Sequence, residues 1–265
     1  MQTLKYFILI SVILLGLVFV FGPEMVPENF QRQEILDVAK NSDVIIIFNS
    51  GGWGNTPIEK AKDFTPIIDG IQKTLKERGY NSVVIPYNRT KDNLLGKITG
   101  VKEFFNFFRN SSEILADDIE LLTKILPDKK IIIAGLSAGG ALANETIKKI
   151  SERAENSVSP VRQNLSNGVY AIAAGIPFWV ETLESDNILR LDNENKDPLS
   201  KGEAKTLLFT LFKAPFKWFS AKILGSGLSF SQALQFSGHQ YSWESAEVSS
   251  SIESFLEAKL TSSNF

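Results

Sequence analysis

The chain has 265 residues, of which 43% are hydrophobic, an ordinary composition for one globular domain with a sizeable core. Its formal net charge of −2 gives no reason to expect a nucleic-acid partner. The sequence contains no cysteine, so its stability must come from the core rather than from disulfides.

The amino terminus differs from the rest of the chain. Residues 6–22 form an uncharged apolar run between Lys5 and Pro23, intermediate in length between a signal-peptide core and a minimal membrane helix. No small-x-small cleavage site precedes Pro23, so we predict an uncleaved signal anchor, with a cleaved signal peptide as the alternative. A buried core helix fits poorly because the run has no polar face. Both membrane interpretations place the following domain outside the cytosol, either anchored to the membrane or secreted.

The remainder of the chain alternates between apolar runs of strand length and segments with helical spacing. Residues 23–42 are predicted to form a tether and a short helix, and residues 43–265 the main domain. Helices are predicted to begin at Thr65 and at Ser112. Continuous apolar runs are typical of strands buried on both faces, so we predict an α/β fold with a mostly parallel sheet of about six strands and helices on both faces. The predicted strands are 43–48, 82–86, 131–134, 169–173, 187–191 and a short candidate at 233–236.

The segment 129–150 predicts a strand, a sharp turn and a helix, with the sequence Gly-Leu-Ser-Ala-Gly at the turn. A serine on such a turn takes a strained backbone conformation that exposes its hydroxyl, and the residues two before and two after it must be small. Here these residues are Gly135 and Gly139. The pattern predicts a nucleophile elbow in which Ser137 attacks and the amide of Ala138 donates to an oxyanion. The alternative is a glycine-rich turn whose serine has no chemical role.

A second glycine-rich loop, 49–54, follows the first predicted strand. Glycines after a buried strand allow backbone amides to face a ligand without obstruction by side chains. We therefore expect the amide of Gly52 or Trp53 to complete the oxyanion site with Ala138. A plain surface loop is the alternative.

A serine nucleophile requires a base, and the base requires a group that holds its tautomer. His239 is the only histidine of the chain, and it follows the last candidate strand. The acid is expected after the strand that ends at Leu191, where Asp197 is preferred because Pro198 fixes the backbone beside it. Asp192 is the second choice, and a solvated acidic loop is the alternative to both. This chemistry requires no metal and no organic cofactor.

The order of the elbow, acid loop and histidine resembles that of the α/β-hydrolase superfamily, which implies an α/β-hydrolase fold and a serine hydrolase activity. The carboxyl-terminal half is similar to class 3 lipases: GLSAGGAL resembles their G-H-S-L-G-G-A-L, residues 174–177 their F-G-x-P, NENKDPL their acid loop, and GHQYSW the segment with their histidine. The chain departs from that pattern at Leu136, which replaces a histidine, and at residues 51–54, which look more like the H-G-G-x loop of esterases.

Two segments rich in aromatic residues are candidates for lids. Residues 87–110 could cover a pocket or pack on the core of the domain. In the segment 199–230, aromatic residues alternate with Lys213, Lys217 and Lys222, a pattern that suits a mobile lid or a membrane interface; burial as a helix pair is the alternative.

Together these features predict a serine hydrolase that cleaves carboxylic esters of lipids through an acyl-enzyme on Ser137. Membrane association is expected through residues 6–22, and no nucleic acid is expected as a partner. The alternatives are the same residues acting on thioesters or peptides, and a binding domain that keeps the fold without catalysis.

Overall fold

A computed structural model describes residues 32–91, 106–156, 167–193, 196–225 and 238–261, together with residues 16, 96, 99–100 and 102–103. Among these residues, five strands form the central sheet: β1 (Val44–Asn49), β2 (Ser82–Pro86), β3 (Lys130–Leu136), β4 (Val169–Ala174) and β5 (Ile188–Leu191). Their order is β2-β1-β3-β4-β5, and every neighbouring pair is parallel. The strands lie within one or two residues of the predicted ones. The short candidate strand at 233–236 lies outside the described residues.

Seven α-helices are described. They are α1 (Arg32–Ala39), α2 (Thr65–Glu77), α3 (Arg109–Ile125), α4 (Ala138–Glu155), α5 (Pro198–Lys201), α6 (Ala204–Ile223) and α7 (Ala246–Thr261), with a 3₁₀ turn at Ile58–Lys60.

Successive side chains of a strand point to opposite faces, and both faces of this sheet are buried. Ile45 and Ile133 face one core, which is shared with α3 and α4, whereas Ile46 and Ile132 face the other, which is shared with α2 and α7. This arrangement explains why the strand sequences are continuously apolar rather than alternating, and it confirms the prediction of helices on both faces.

The predicted start of a helix at Ser112 is wrong. Helix α3 begins at Arg109, immediately after Phe108, whose φ of 57° is left-handed. The carboxylate of the buried Glu103 accepts hydrogen bonds from the amide and the hydroxyl of Ser111, at 3.2 Å and 2.8 Å. The acceptor for this first-turn amide, Glu103, therefore lies six positions before the helix begins. A local capping pattern cannot indicate such an acceptor.

The predicted anchor, residues 6–22, lies outside the described residues apart from Gly16. Within the part of the chain that the structure describes, no helix has both the length and the apolar character needed to cross a membrane.

The elbow, Ser137, follows β3, the central strand of the sheet, and leads directly into α4. A parallel sheet covered on both faces, with a serine turn after its central strand, is the arrangement of the α/β-hydrolase fold. The predicted fold is therefore confirmed. It brings the carboxyl ends of β1, β3, β4 and β5 to one edge, where we expect the functional site.

Candidate active site

Ser137 has the strained backbone conformation predicted for an elbow, with φ 55° and ψ −116°. Positive φ is uncommon for a residue with a side chain, and it persists only when the surroundings enforce it. Here the amide of Ser137 donates to the carbonyl of Ala174 on β4 at 2.8 Å, and its carbonyl accepts from Ala141 at 2.9 Å. The turn is thus held between the sheet and the first turn of α4.

The two glycines that flank the elbow are required by close backbone contacts. A methyl group on Gly135 would collide with the carbonyl group of Gly139, and one on Gly139 would collide with the carbonyl of Asn49 at the end of β1. These contacts involve main-chain atoms that cannot rotate away. The requirement for small residues inferred from the sequence is therefore seen directly in the packing.

Asp197 and His239 lie side by side at the same edge of the sheet. Nδ1 of His239 is 2.7 Å from Oδ2 of Asp197; the aspartate is fully buried, and the histidine side chain is 10% exposed. Because a carboxylate only accepts, Nδ1 is the donor and Nε2 carries the lone pair that can take a proton. This is the relation that a base and its orienting acid require.

Asp197 is held by several further donors. Its Oδ1 accepts from the amide of Leu199 at 2.9 Å, while its Oδ2 accepts from the hydroxyls of Tyr241 at 2.8 Å and Ser200 at 3.2 Å. Burial opposes ionisation of Asp197, but His239, the Tyr241 hydroxyl and the Leu199 amide together hold its pKa below the ordinary value. Asp197 also caps α5, with Pro198 as the first residue of that helix. The carboxylate is therefore fixed and charged at neutral pH.

The loop that carries His239 is anchored both to the loop that carries Asp197 and to the core shared with α2 and α7. Asn193 donates from its side chain to the carbonyl of Gly238 at 2.8 Å. The indole of Trp243 packs directly over Gly70 in α2, where any larger residue would collide with the ring. Gly175, with φ 60°, lies against the imidazole: a methyl group there would be 2.5 Å from Cε1 of His239.

These contacts connect the histidine to the elbow. Ser137 donates to Ala174, and the next residue, Gly175, contacts the imidazole of His239. The structure thus brings Ser137, Asp197 and His239 to the ends of β3, β5 and β4, respectively. Asp192 lies closer to β5, and its charge acts on Tyr241, whose pKa is raised by burial, by Asp197 and by Asp192.

The loop after β1 lies beside the elbow, and its role as the second half of an oxyanion site stays a prediction. A methyl group on Gly51 would be 3.2 Å from the carbonyl oxygen of Leu136 and 3.8 Å from Cβ of Ser137. The amide of Gly54 donates to the carbonyl of Gly51 at 3.1 Å, which closes a turn with Gly52, φ 56°, and Trp53 at its centre. Ala138 is the first residue of α4, so its amide is among those that a helix start leaves without an intrahelical acceptor.

Two polar residues at this edge were missed from the sequence. The hydroxyl of Tyr241 donates to Asp197, and the position of Tyr241 two residues after His239 in GHQYSW was the only sign of this contact. Arg89 lies beneath the loop after β1 and donates to two of its carbonyls. No local pattern indicated Arg89, because its partners lie 37 and 39 positions away.

No group of three or more histidine, aspartate or glutamate side chains among the described residues is arranged to hold a metal ion.

No protein-family model matches the sequence, and no curated protein matches it. The structure is similar to Trichoderma reesei cutinase, solved in complex with a C11Y4 phosphonate inhibitor, with a TM-score of 0.45 and 12% sequence identity. The likeness covers 86% of this chain and 86% of the cutinase chain. At this identity it concerns the fold alone.

Proposed function

We propose that this protein is a serine hydrolase that cleaves carboxylic esters through an acyl-enzyme on Ser137. The observation that carries the proposal is the buried carboxylate of Asp197, 2.7 Å from Nδ1 of His239, at the sheet edge where the strained Ser137 elbow stands. A charged carboxylate in the interior is costly unless donors surround it, and here the donors orient it toward the only histidine of the chain.

In the first half of the proposed reaction, Oγ of Ser137 attacks the ester carbonyl while its proton passes to Nε2 of His239. Asp197 stabilises the imidazolium that forms and does not itself take the proton. The amide of Ala138, with that of Gly52 or Trp53, binds the developing oxyanion. The tetrahedral species then collapses, the bond to the alcohol oxygen breaks, and His239 returns the proton to the leaving alcohol.

In the second half, water replaces the alcohol. Its proton passes to His239 as the oxygen attacks the acyl-Ser137 carbonyl, the bond to Oγ breaks, and Ser137 regains its proton from the imidazolium. The acid is released and the enzyme is restored. Every atom and proton is accounted for by the substrate, water and these three side chains.

The proposed substrate is a lipid ester, and the surface of α6 supports this. Phe216, Phe219 and Ile223 lie at spacings of three and four residues, which places them on one face of the helix, and they are 75%, 61% and 70% exposed. Lys213 and Lys217 are also exposed. Apolar side chains beside lysines suit contact with acyl chains and charged headgroups, and the motifs similar to class 3 lipases point the same way. For Phe216 and Phe219, this exposure weighs against burial in the core.

The role of α6 can be tested by replacing Phe216 and Phe219 with serine. We expect activity on long-chain or aggregated esters to fall while short soluble esters are hydrolysed at the wild-type rate, because no buried side chain is removed. Ile125→Ser, which changes a 45% exposed residue at the end of α3, is the control and should affect neither substrate. Equal loss on short and long esters, with a lower melting temperature, would contradict the proposal.

The segment 87–110 is a weaker candidate for a lid. Tyr87 and Phe108 are only 2% and 1% exposed and belong to the core shared with α3 and α4, so these two aromatics pack inward. Phe107 is 42% exposed, and Gly100 lies against the indole of Trp53, beside the candidate oxyanion loop. A lid role for this segment remains a prediction.

We also propose that the domain is exported, either anchored by residues 6–22 or released after cleavage of that segment. The support is the uncharged apolar run and its single flanking Lys5.

The central experiment treats wild type and Ser137→Ala with a fluorophosphonate probe and with a panel of esters of increasing acyl length, a thioester and a peptide. We expect labelling and ester turnover in wild type only, with turnover rising with acyl length. Preference for the thioester or the peptide would favour another acyl substrate. Absence of both labelling and turnover in a folded wild-type protein would favour a non-catalytic binding domain.

A further inference from the structure

Arg89 is a buried cation that the proposed reaction does not use. Its side chain is 3% exposed, and its guanidinium lies 5.3 Å from the centre of the Phe108 ring. Burial lowers the pKa of Arg89 to about 10, against the opposing effect of the Glu103 carboxylate, so the side chain stays charged at neutral pH. Burying a charge is costly unless the charge is paired and hydrogen-bonded, so the hydrogen-bond partners of Arg89 indicate what it does.

What Arg89 holds is the loop after β1. Its Nη2 donates to the carbonyls of Ser50 at 2.8 Å and Gly52 at 3.1 Å, and its own amide donates to the carbonyl of Gly54 at 2.7 Å. The guanidinium also lies so close to Gly54 that a methyl group on this residue would collide with it. Arg89 therefore fixes the carbonyls of every second residue of this short loop, those of Ser50, Gly52 and Gly54.

The loop has two sides. Gly51 faces the elbow, where a methyl group would be 3.8 Å from Cβ of Ser137, and Gly54 faces the guanidinium. In a planar trans peptide, the carbonyl and the following amide point in opposite directions. Binding the carbonyl of Gly52 to Arg89 therefore turns the amide of Trp53 away from Arg89. The carbonyl of Gly51 is instead turned inward to Gly54.

We propose that Arg89 is a positioning residue for the oxyanion hole, and that it selects the amide of Trp53, rather than that of Gly52, as the donor that acts with Ala138. The charged donor on the Gly52 carbonyl also polarises the peptide, which strengthens the Trp53 amide as a donor. Arginine suits this task because its planar fork holds two acceptors in fixed directions, whereas a lysine ammonium cannot reproduce that geometry. The inference rests on the proposed ester hydrolysis at Ser137.

The test compares Arg89→Met and Arg89→Lys on an ester and on the matching thionoester, in which sulfur replaces the carbonyl oxygen. Sulfur accepts hydrogen bonds weakly, so an oxyanion hole accelerates the ester far more than the thionoester. Removing one oxyanion donor typically lowers kcat by about 10²–10³-fold. We expect Arg89→Met to lower kcat for the ester by about 10²-fold, with a nearly unchanged KM, and to lower the thionoester rate much less. Arg89→Lys should lie between wild type and Arg89→Met.

The control is Arg78→Met. Arg78 also donates to a main-chain carbonyl, that of Glu253 at 3.1 Å, but it links α2 to α7 on the other core. It should keep the wild-type ratio of ester to thionoester rates, even if its melting temperature falls. If Arg89→Met is too unstable to assay, Arg89→Lys alone decides the question from the same ratio.

Two outcomes would overturn the role of Arg89, and they are distinguishable. In the first outcome, the wild-type protein hydrolyses the ester, but each Arg89 variant loses the same proportion of its rate on the ester and on the thionoester. This result would show that Arg89 supports the fold only. A folded wild type without ester turnover or labelling of Ser137 would overturn the proposed function and the role of Arg89 with it.

Discussion

Replacing Asp197 with asparagine tests which acid orients His239, because the two side chains have the same size and differ in one group. Oδ1 accepts from the Leu199 amide, so the oxygen of an asparagine should remain there and its nitrogen should replace Oδ2. That nitrogen would face Nδ1 of His239 and the hydroxyl of Tyr241, both of which donate to Oδ2. The imidazole must then place its proton on Nε2, the atom that has to accept the proton of Ser137.

The expected cost is a fall in kcat of about 10⁴-fold, as when the equivalent change forces the wrong tautomer in a serine protease. At 1.36 kcal/mol per factor of ten, this is about 5 kcal/mol of transition-state stabilisation. Initial rates on a short soluble ester measure it, and thermal unfolding separates it from loss of fold. The matched control is Asp192→Asn, which should retain wild-type turnover. A large loss for Asp192→Asn, with near-normal turnover for Asp197→Asn, would refute the assignment.

Three further changes probe the same account. Tyr241→Phe removes a donor to a charged carboxylate and should cost about 1.5–3 kcal/mol of stability at pH 7. The pKa of Asp197 is lower in the folded protein than its unfolded value of about 3.9, so the ionised carboxylate stabilises the fold above that pH, and this stabilisation is lost on acidification. The stability difference between wild type and Tyr241→Phe should therefore narrow towards pH 3. A difference that stays constant with pH in thermal unfolding would contradict this prediction. Gly175→Ala should displace the imidazole of His239 and lower kcat at nearly unchanged KM, and full activity would show that the contact is unimportant. Deletion of residues 1–22 should move the protein from membranes to the soluble fraction with its activity intact, whereas equal partitioning of both forms would refute the anchor.

The fold could be predicted because its signals are local. Each central strand is a continuous apolar run, since both faces of the sheet are buried, and the run in β3 passes directly into the elbow. The glycines at 135 and 139 are needed by backbone contacts within a few residues of Ser137 and across to β1. Such constraints leave a mark in the sequence at the positions where they act.

The choice of Asp197 as the candidate acid was only partly determined by the sequence. Two aspartates follow β5, and the local preference for Asp197 depended on Pro198. The structure adds the reason for that preference, because Asp197 caps α5 with Pro198 at its first position and thereby aims Oδ2 at the histidine. Asp197 and His239 are 42 positions apart in the sequence, and no local pattern indicates a contact at that separation.

The contacts of Arg89 and Tyr241 could not be predicted for the same reason. A hydroxyl two residues after a histidine, or an arginine after a strand, is common in any chain. Only the folded sheet brings Tyr241 to Asp197, 44 positions away, and Arg89 to the carbonyl of Ser50. The start of α3 was mispredicted on similar grounds, since Glu103 supplies the first-turn acceptor from outside the helix.

Trapping of the acyl-enzyme tests directly whether Ser137 is the nucleophile. Wild-type protein is mixed with an activated ester, quenched in acid within one turnover, digested and analysed by mass spectrometry. We expect one peptide heavier by the mass of the acyl group, with the modification on Ser137, and less of this peptide after prolonged turnover, when the ester has been consumed. An acyl group on another residue, or ester turnover in Ser137→Ala at the wild-type rate, would contradict this prediction.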